Sequence, residues 1–245
     1  MPQMFSAVFL INAVLQALLL AWLIRIWRGT HVAAAALLFL PQFFLVWDNL
    51  VVGTGAWIGL GQLLQWLNAA RFWGHCLFGS WLIIASGSIL RLADFTWARK
   101  RWVMAVFCLL TVTIIAHELL DFWNASLMPV CEYDLVRYAT RVSAQHLCSS
   151  EQAVVASDGP PIGPLVTVFV VIATGVLLAL KRRFPWMMLG GIAMFVSATP
   201  PMMRYKLDNL GEVAITLGVI CAIAHFAGAA TRFNAVRAND NPVVD

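Results

Sequence analysis

Charged residues are scarce in this chain. Asp, Glu, Lys and Arg make up 11% of its 245 residues, whereas a soluble domain carries about 25%. No long polar stretch sets off a second, soluble unit, so we expect a single domain over residues 1–245. The net charge is +4, but the basic residues lie in short segments between apolar runs. In such positions they set membrane orientation, and they do not indicate nucleic-acid binding.

The chain is rich in hydrophobic residues. Hydrophobic residues make up 61% of the chain, and the mean hydropathy is +0.82. A membrane-spanning helix needs about 20 mostly apolar residues. The chain offers seven such stretches, which predict an all-α, seven-helix membrane bundle. The predicted spans cover residues 5–27, 33–53, 72–92, 102–123, 164–180, 184–200 and 210–230.

No charged side chain precedes Arg25. The first span is therefore not a cleavable signal peptide, because such a peptide has its basic residues before the apolar run. With seven spans, the tight basic clusters fall on one side, which we expect to be cytoplasmic. The N-terminus is then outside and the C-terminus inside, in a multi-pass protein of an inner or plasma membrane. The clusters are Arg25 and Arg28, residues 99–101, residues 181–183, and Arg232 with Arg237.

Two outer segments differ from ordinary short loops. Residues 54–70 are too apolar for a loop, and Gln62, Gln65 and Asn68 recur every third residue. This spacing places them near one face of a helix, so the segment is an interfacial helix or a short lid. Residues 124–163 form the longest polar stretch, and we expect an outer loop there.

The five cysteines divide into two groups. Cys76, Cys108 and Cys221 lie in predicted spans, where cysteine serves as a small buried apolar residue. Cys131 and Cys148 both lie in the outer loop. Because that loop faces an oxidising compartment in the predicted orientation, we expect these two to form a disulfide. The closed loop would stabilise the fold by about 3 kcal/mol in the chain-entropy model.

Ionisable residues gather at one end of the predicted spans. Asp48, His75, Glu118 and Asp208 come from spans 2, 3, 4 and 7 and lie within about two turns of the outer interface, at 1.5 Å per residue. Charges inside a membrane are costly and usually functional. We therefore predict an outward-opening pocket in which these four residues and His117 are catalytic. The predicted substrate contacts are Trp47, Asn49, Trp73 and Glu212.

The sequence from His117 to Asp121 leaves two alternatives open. His117 and Asp121 are four residues apart and share a helix face. The run resembles the zinc pattern His-Glu-x-x-His with Asp in the last place, and His75 would be a third ligand. His75 and His117 are also compatible with axial ligation of a haem. We predict no metal here and leave the cofactor undetermined.

A short motif occurs twice in the chain. Residues 48–50 and residues 208–210 both read Asp-Asn-Leu, and each follows a proline by the same offset. In the predicted topology the first copy runs outward and the second inward, as in the inverted repeats of transporters. Four matched residues are a small number, and we interpret the echo as coincidence.

The seven short-looped spans, with one acid in span 2 and another at the start of span 7, resemble the integral-membrane terpene cyclases of meroterpenoid pathways. The resemblance implies that Asp48, after Trp47, and Asp208 protonate an alkene or epoxide of a prenylated substrate. The corresponding span-2 acid of that family is typically Glu after Trp.

The leading hypothesis is a membrane-embedded enzyme that acts on a lipid or isoprenoid by acid–base chemistry. A carboxylic acid in an apolar pocket is a competent proton donor, because burial disfavours its charged form. The alternative is a non-enzymatic transporter or small accessory subunit that handles ions or protons. The expected partners are the bilayer and a hydrophobic small molecule.

Overall fold

The computed structural model describes residues 4–123, 125–140, 146–148, 161–199, 202–203 and 207–240. Over these residues the chain is mostly helical, as predicted, with one small β-hairpin. The helices are α1 (Met4–Thr30), α2 (Ala33–Ala36), α3 (Phe39–Ile58), α4 (Gln62–Phe78), α5 (Trp81–Leu92), α6 (Arg101–Trp123), α7 (Ile162–Arg182), α8 (Trp186–Ser197) and α9 (Asp208–Asp240). The strands are β1 (Met128–Glu132) and β2 (Leu135–Ala139).

Six helical segments are long and apolar enough to cross a membrane, and they suggest an integral membrane protein. They are α1, α2 with α3, α4 with α5, α6, α7, and the apolar part of α9. The span predicted at residues 184–200 corresponds to α8, which has 12 residues. At 1.5 Å per residue, α8 is about 18 Å long, whereas a hydrocarbon core is about 30 Å thick. The predicted count of seven is therefore not confirmed.

The apolar segment over residues 54–70 is divided between two helices. Its first residues complete α3, and the residues from Gln62 onward form the first half of α4, before the predicted span start at residue 72. The side chains of Asn68 and Arg71 are buried, whereas Leu63 and Trp66 are 64% and 68% exposed. Gln62 and Gln65 are exposed, whereas Leu64 is buried with Asn68. The inner face of this helix is therefore part polar and part apolar, and the three polar residues predicted to lie near one face differ in exposure.

The largest apolar core lies between α1, α5, α7, α8 and α9. Leu23, Ile89, Leu178, Met187 and Ile223 are among its fully buried members. Lipid tails are as apolar as these side chains, so close packing, and not removal from water, holds helices together in a bilayer. The core therefore depends on how closely the helices approach one another.

Two glycines set the approach of α8 to α9. A Cβ atom on Gly190 would lie 2.5 Å from the carbonyl oxygen of Ala214, and one on Gly218 would lie 2.7 Å from that of Trp186. Neither contact is tolerable, because both partners are backbone atoms. The pair therefore permits a helix contact of the small-residue kind that membrane bundles use.

The β-hairpin closes one end of the bundle. β1 and β2 are antiparallel, with Cys131 opposite Val136. A Cβ atom on Gly55 would lie 1.9 Å from the Val136 carbonyl oxygen, so the hairpin backbone rests directly on α3. Leu135, which is 1% exposed, packs with Phe9 of α1 and Val52 of α3. We expected a loop in this part of the chain, and the two strands were not predicted.

The predicted disulfide is present. Cys131 and Cys148 are bonded, and their Cα atoms are 4.9 Å apart. The backbone N–H of Cys148 also donates to the carbonyl oxygen of Pro129, at 3.3 Å. The bridge therefore ties the chain that follows the hairpin to β1. The remaining three cysteines are free thiols, and Cys76 is the buried one.

Asp134, at the turn of the hairpin, caps the beginning of α1. Its carboxylate accepts hydrogen bonds from the backbone N–H groups of Phe5, at 3.2 Å, and Ser6, at 2.9 Å. The Ser6 hydroxyl donates to the Asp134 carbonyl oxygen at 3.2 Å. The first N–H groups of a helix have no partner within it and carry a partial positive charge. A carboxylate from a distant segment satisfies them here.

We expect Asp134→Ala to destabilise the protein by about 0.5–2 kcal/mol, the usual cost of losing a helix cap. Partial burial alone would raise the pKa of Asp134, but the hydrogen bonds from Ser6 and Phe5 hold it below its ordinary value. A carboxyl whose pKa is lowered by folding stabilises the fold above its ordinary pKa, about 3.9, and loses that contribution as the pH falls further.

Thermal unfolding in detergent at pH 7, 5 and 3 measures this contribution. The difference between the wild type and Asp134→Ala should be largest at pH 7 and shrink toward pH 3. Asp121→Ala, at an exposed aspartate, is the matched control and should change little at any pH. A difference for Asp134→Ala that does not vary with pH would show that the cap is not a charged one.

Candidate functional site

The centre of the site is a buried ion pair between α3 and α4. Arg71 Nε lies 2.7 Å from Asp48 Oδ1, and the two side chains are 8% and 6% exposed. The Arg71 guanidinium also donates to Asn68 Oδ1 at 2.9 Å and lies 4.5 Å from the centroid of the Phe72 ring. Burying two ions is costly unless each has an oppositely charged partner and further hydrogen bonds. Asp48 and Arg71 have both.

His75 links this ion pair to a cavity. It follows Arg71 by one helical turn on α4, so both side chains reach the same carboxylate. His75 Nε2 lies 3.2 Å from Asp48 Oδ1, and the His75 side chain, unlike those of the ion pair, is 38% exposed. With Nε2 facing Asp48, the other ring nitrogen, Nδ1, is left for a molecule in the cavity.

The cavity has a volume of about 140 Å³ and lies between α3, α4, α5, α6, α7, α8 and α9. It is smaller than the roughly 300–1,000 Å³ of a pocket for a whole drug-sized molecule. It can therefore enclose one end of a longer amphiphile. Its walls are mostly apolar, with Phe44, Leu82, Ile114, Val168 and Ile215 among them. Among the described residues, one imidazole and two carboxyl groups line it: His75, Glu118 and Glu212.

Glu118 stands where α6 meets α7. Its Oε1 accepts a hydrogen bond from the backbone N–H of Gly163, at 3.1 Å. A Cβ atom at residue 163 would lie 2.4 Å from that oxygen, so a larger residue there would displace the Glu118 carboxylate from this position. The Cys76 thiol, also at the cavity, donates weakly to the Glu118 carbonyl oxygen at 3.7 Å. The Gly163 N–H group is in the first turn of α7 and has no acceptor within that helix, and it holds the Glu118 carboxylate at the cavity.

A second buried polar cluster lies next to the cavity. The side-chain amide of Gln42 donates to the side-chain oxygen of Gln16. The hydroxyl of Thr216, a cavity-lining residue, donates to the same oxygen at 3.2 Å. These three residues come from α3, α1 and α9, and all are at most 4% exposed. A chain of hydrogen-bonded side chains therefore extends from the cavity wall at Thr216 into the middle of the bundle.

Several predicted site residues lie elsewhere. Trp47 donates from Nε1 to the Leu67 carbonyl oxygen at 3.3 Å, and Trp73 packs edge-on against Phe122 with ring centroids 5.2 Å apart. His117 and Asp121 form a pair with 46% and 56% exposed side chains, 3.7 Å apart. Among the cavity-lining residues that the structure identifies, none of these four is included.

Asp48 and Asn49 are buried behind the cavity wall, at 4% and 0% exposure. Asp208 begins α9, and its side chain lies outside the described part of the chain. Within the described residues, no three His, Cys, Asp or Glu side chains are arranged to hold a metal ion. The open metal alternative of His75, His117 and Asp121 therefore has no assembled ligand set there.

Two residues of the site, Arg71 and Asn209, were not predicted from the sequence. The spacing of four residues between Arg71 and His75, which places both on one helix face, was the available signal for Arg71. Asn209 Nδ2 donates to Asp48 Oδ2 at 2.8 Å and to Asn49 Oδ1 at 3.3 Å. The repeated Asp-Asn-Leu motif was the signal for Asn209, because its two copies meet here.

Comparison with protein-family models, with curated proteins and with solved structures finds no match for this chain. The site geometry is therefore the basis for the functional argument that follows.

Proposed function

We propose that the chain is a membrane-embedded enzyme that acts on a lipid or isoprenoid by acid–base chemistry. The proposal depends on the position of His75. This side chain contacts a buried, ion-paired carboxylate, and it also lines a mostly apolar cavity. A histidine oriented by a carboxylate is a common general acid–base group, because the carboxylate fixes which ring nitrogen carries the hydrogen.

The residues take distinct roles in this proposal. His75 exchanges a proton with the substrate through Nδ1. Asp48 orients His75 and is not itself the proton donor, because its oxygens are already bound to Arg71, His75 and Asn209. Glu118 and Glu212 line the cavity near His75, and in this proposal they contact the polar end of the substrate.

The apolar cavity walls support a substrate that arrives from the bilayer. At about 140 Å³ the cavity encloses only one end of such a molecule, and the remainder would extend among the lipid tails. Cyclisation of a terpenoid is one reaction of this kind, as the resemblance to membrane terpene cyclases implies. In that reaction His75 or a cavity glutamate, and not Asp48, would deliver the proton.

A mass-spectrometric comparison of bound lipids tests the binding part of the proposal. The wild type is extracted with its native lipids by a styrene–maleic acid copolymer, together with Ile215→Trp, which fills the cavity. Ile192→Trp is the matched control, because Ile192 is 41% exposed on α8. We expect one amphiphile to be enriched with the wild type and Ile192→Trp and to be lost from Ile215→Trp. Identical lipid profiles for all three would contradict the proposal.

The cluster of Gln16, Gln42 and Thr216 favours a second candidate function, transport of an ion or a proton. It extends the polar lining of the cavity into the bundle, as a transport path requires. Proteoliposomes that report ion or pH changes distinguish the two functions. A flux that Gln42→Leu abolishes would favour transport, and a lipid product without flux favours the enzyme.

We further propose that the predicted span that contains α8 makes a seventh crossing of an inner or plasma membrane. The N-terminus is then outside and the C-terminus is cytoplasmic. The basic residues near the end of α1, at the start of α6, at the end of α7 and within α9 support this orientation. Reporter fusions at Arg99 and Arg182 should both read cytoplasmic. An outside reading for either one would reverse or abolish the proposed topology.

A further inference from the structure

The two Asp-Asn-Leu motifs of the chain contact each other. Residues 48–50 lie in α3, and residues 208–210 begin α9. Asn209 of the second motif donates from Nδ2 to Asp48 Oδ2, at 2.8 Å, and to Asn49 Oδ1, at 3.3 Å, both in the first motif. Both partners are oxygens that only accept in these contacts, so the Asn209 amide nitrogen is the donor to each.

Asn209 completes the set of contacts around the Asp48 carboxylate. Oδ1 faces Arg71 Nε at 2.7 Å and His75 Nε2 at 3.2 Å, and Oδ2 faces Asn209. The contacts to Oδ1 come from α4 alone. The contact to Oδ2 comes from α9, so it is the one that stops the carboxylate from rotating about its Cβ–Cγ bond.

From these contacts we propose that Asn209 is a positioning residue for His75, acting through Asp48; the inference rests on the proposed acid–base role of His75. With Oδ2 held by Asn209, Oδ1 is presented to His75 Nε2 in one orientation. A carboxylate accepts but does not donate, so Nε2 carries the hydrogen in neutral His75. Nδ1 then has the free lone pair that takes a proton from a molecule in the cavity.

Replacing Asn209 should change the tautomer of His75, although Asn209 makes no hydrogen bond to His75 and acts through Asp48. In Asn209→Leu, Oδ2 has no donor on α9, and the carboxylate is free to turn away from His75. Asn209→Ala removes the same amide contact without adding bulk or a new donor side chain, so it is the variant to use if the leucine variant does not fold. Thr216→Val is the matched control, because it removes a hydrogen bond from the same helix two turns along, with no contact to Asp48.

Nitrogen-15 NMR of protein labelled at its histidines, in lipid nanodiscs, distinguishes the two tautomers of a neutral imidazole. The His75 signals are assigned by their loss in His75→Gln. We expect the wild type and Thr216→Val to show the tautomer protonated at Nε2. The folded Asn209 variants should show a mixture, with at least a tenfold loss of preference for that tautomer. An unchanged His75 tautomer in a folded Asn209 variant would overturn the inference.

The NMR readout is independent of any reaction. If the tautomer changes while the His75→Gln variant keeps full turnover, the positioning role of Asn209 stands and the proposed function fails. If the tautomer is unchanged while His75→Gln loses turnover, the proposed function stands and the role of Asn209 is overturned.

Discussion

Arg71→Met should destabilise the protein by about 3–5 kcal/mol, the usual cost of removing one partner of a buried ion pair. The variant leaves the Asp48 carboxylate at 6% exposure without its cation, in a bundle where water cannot readily replace it. Thermal unfolding of the purified protein in detergent measures the loss. We expect a much lower midpoint or a failure to accumulate in the membrane.

The exposed pair of Arg99 and Asp94 provides the matched control. Its side chains are 65% and 67% exposed, and a surface pair contributes only about 0–1 kcal/mol. Arg99→Met should therefore be nearly neutral. The double variant Arg71→Met with Asp48→Asn removes both charges and should recover most of the lost stability, because the uncompensated ion is gone. If Arg71→Met unfolds no earlier than Arg99→Met, the pair is not the buried centre of the site.

His75→Gln should lower turnover by about 10²–10⁴-fold, the usual contribution of a general acid–base group. Glutamine retains a hydrogen-bonding side chain of similar reach but cannot take up or release a proton at neutral pH. The fold should be preserved, because Gln can still donate to Asp48. The measurement is the rate at which the protein in proteoliposomes converts a lipid extract, followed by mass spectrometry.

His225→Gln is the control for this substitution. His225 lies on α9 far along the chain from the cavity residues and stacks on Phe184, with ring centroids 4.9 Å apart. Its loss should leave turnover within about twofold. A His75→Gln variant that folds and keeps the wild-type rate would remove His75 from the mechanism and favour the transport candidate.

Apolar length was sufficient to predict most of the helices. The first two spans, the fourth, the fifth and the last agree with helices of the structure, because about 20 apolar residues leave few alternatives. The third was placed too late, at residue 72, since Asn68 and Arg71 lower the local hydropathy. In the structure these polar side chains point into the bundle. An average over sequence cannot distinguish an inward-facing polar residue from a loop.

Depth along the spans predicted part of the cavity, but not which side of each helix faces it. Successive residues of a helix are about 100° apart. Ile114 and Glu118 line the cavity. The side chains of His117 and Asp121, on another face of the same helix, are 46% and 56% exposed. The sequence placed His117 and Glu118 at one level. Packing against α4, α5 and α7 determines which face of α6 turns inward.

The partners of Asp48 depended on contacts between distant segments. The sequence placed Asp48 and His75 in one predicted pocket, and they are adjacent. It did not predict that Arg71 neutralises Asp48 or that Asn209 reaches it from the last helix. The Asp-Asn-Leu echo was interpreted as coincidence, and its two copies are in contact. Whether two similar motifs meet is a property of helix arrangement, which local sequence does not specify.

The central claim is that the cavity beside His75 carries out acid–base chemistry on a membrane amphiphile, and solvent-deuterium labelling tests it most directly. Purified wild type in proteoliposomes made from a membrane lipid extract is incubated in D₂O, and the lipids are analysed by mass spectrometry after back-exchange into H₂O. Proton transfer to carbon predicts a lipid product that retains deuterium with the wild type and His225→Gln, and that is absent with His75→Gln. If the wild type produces no lipid of altered mass or deuterium content, the claim is contradicted.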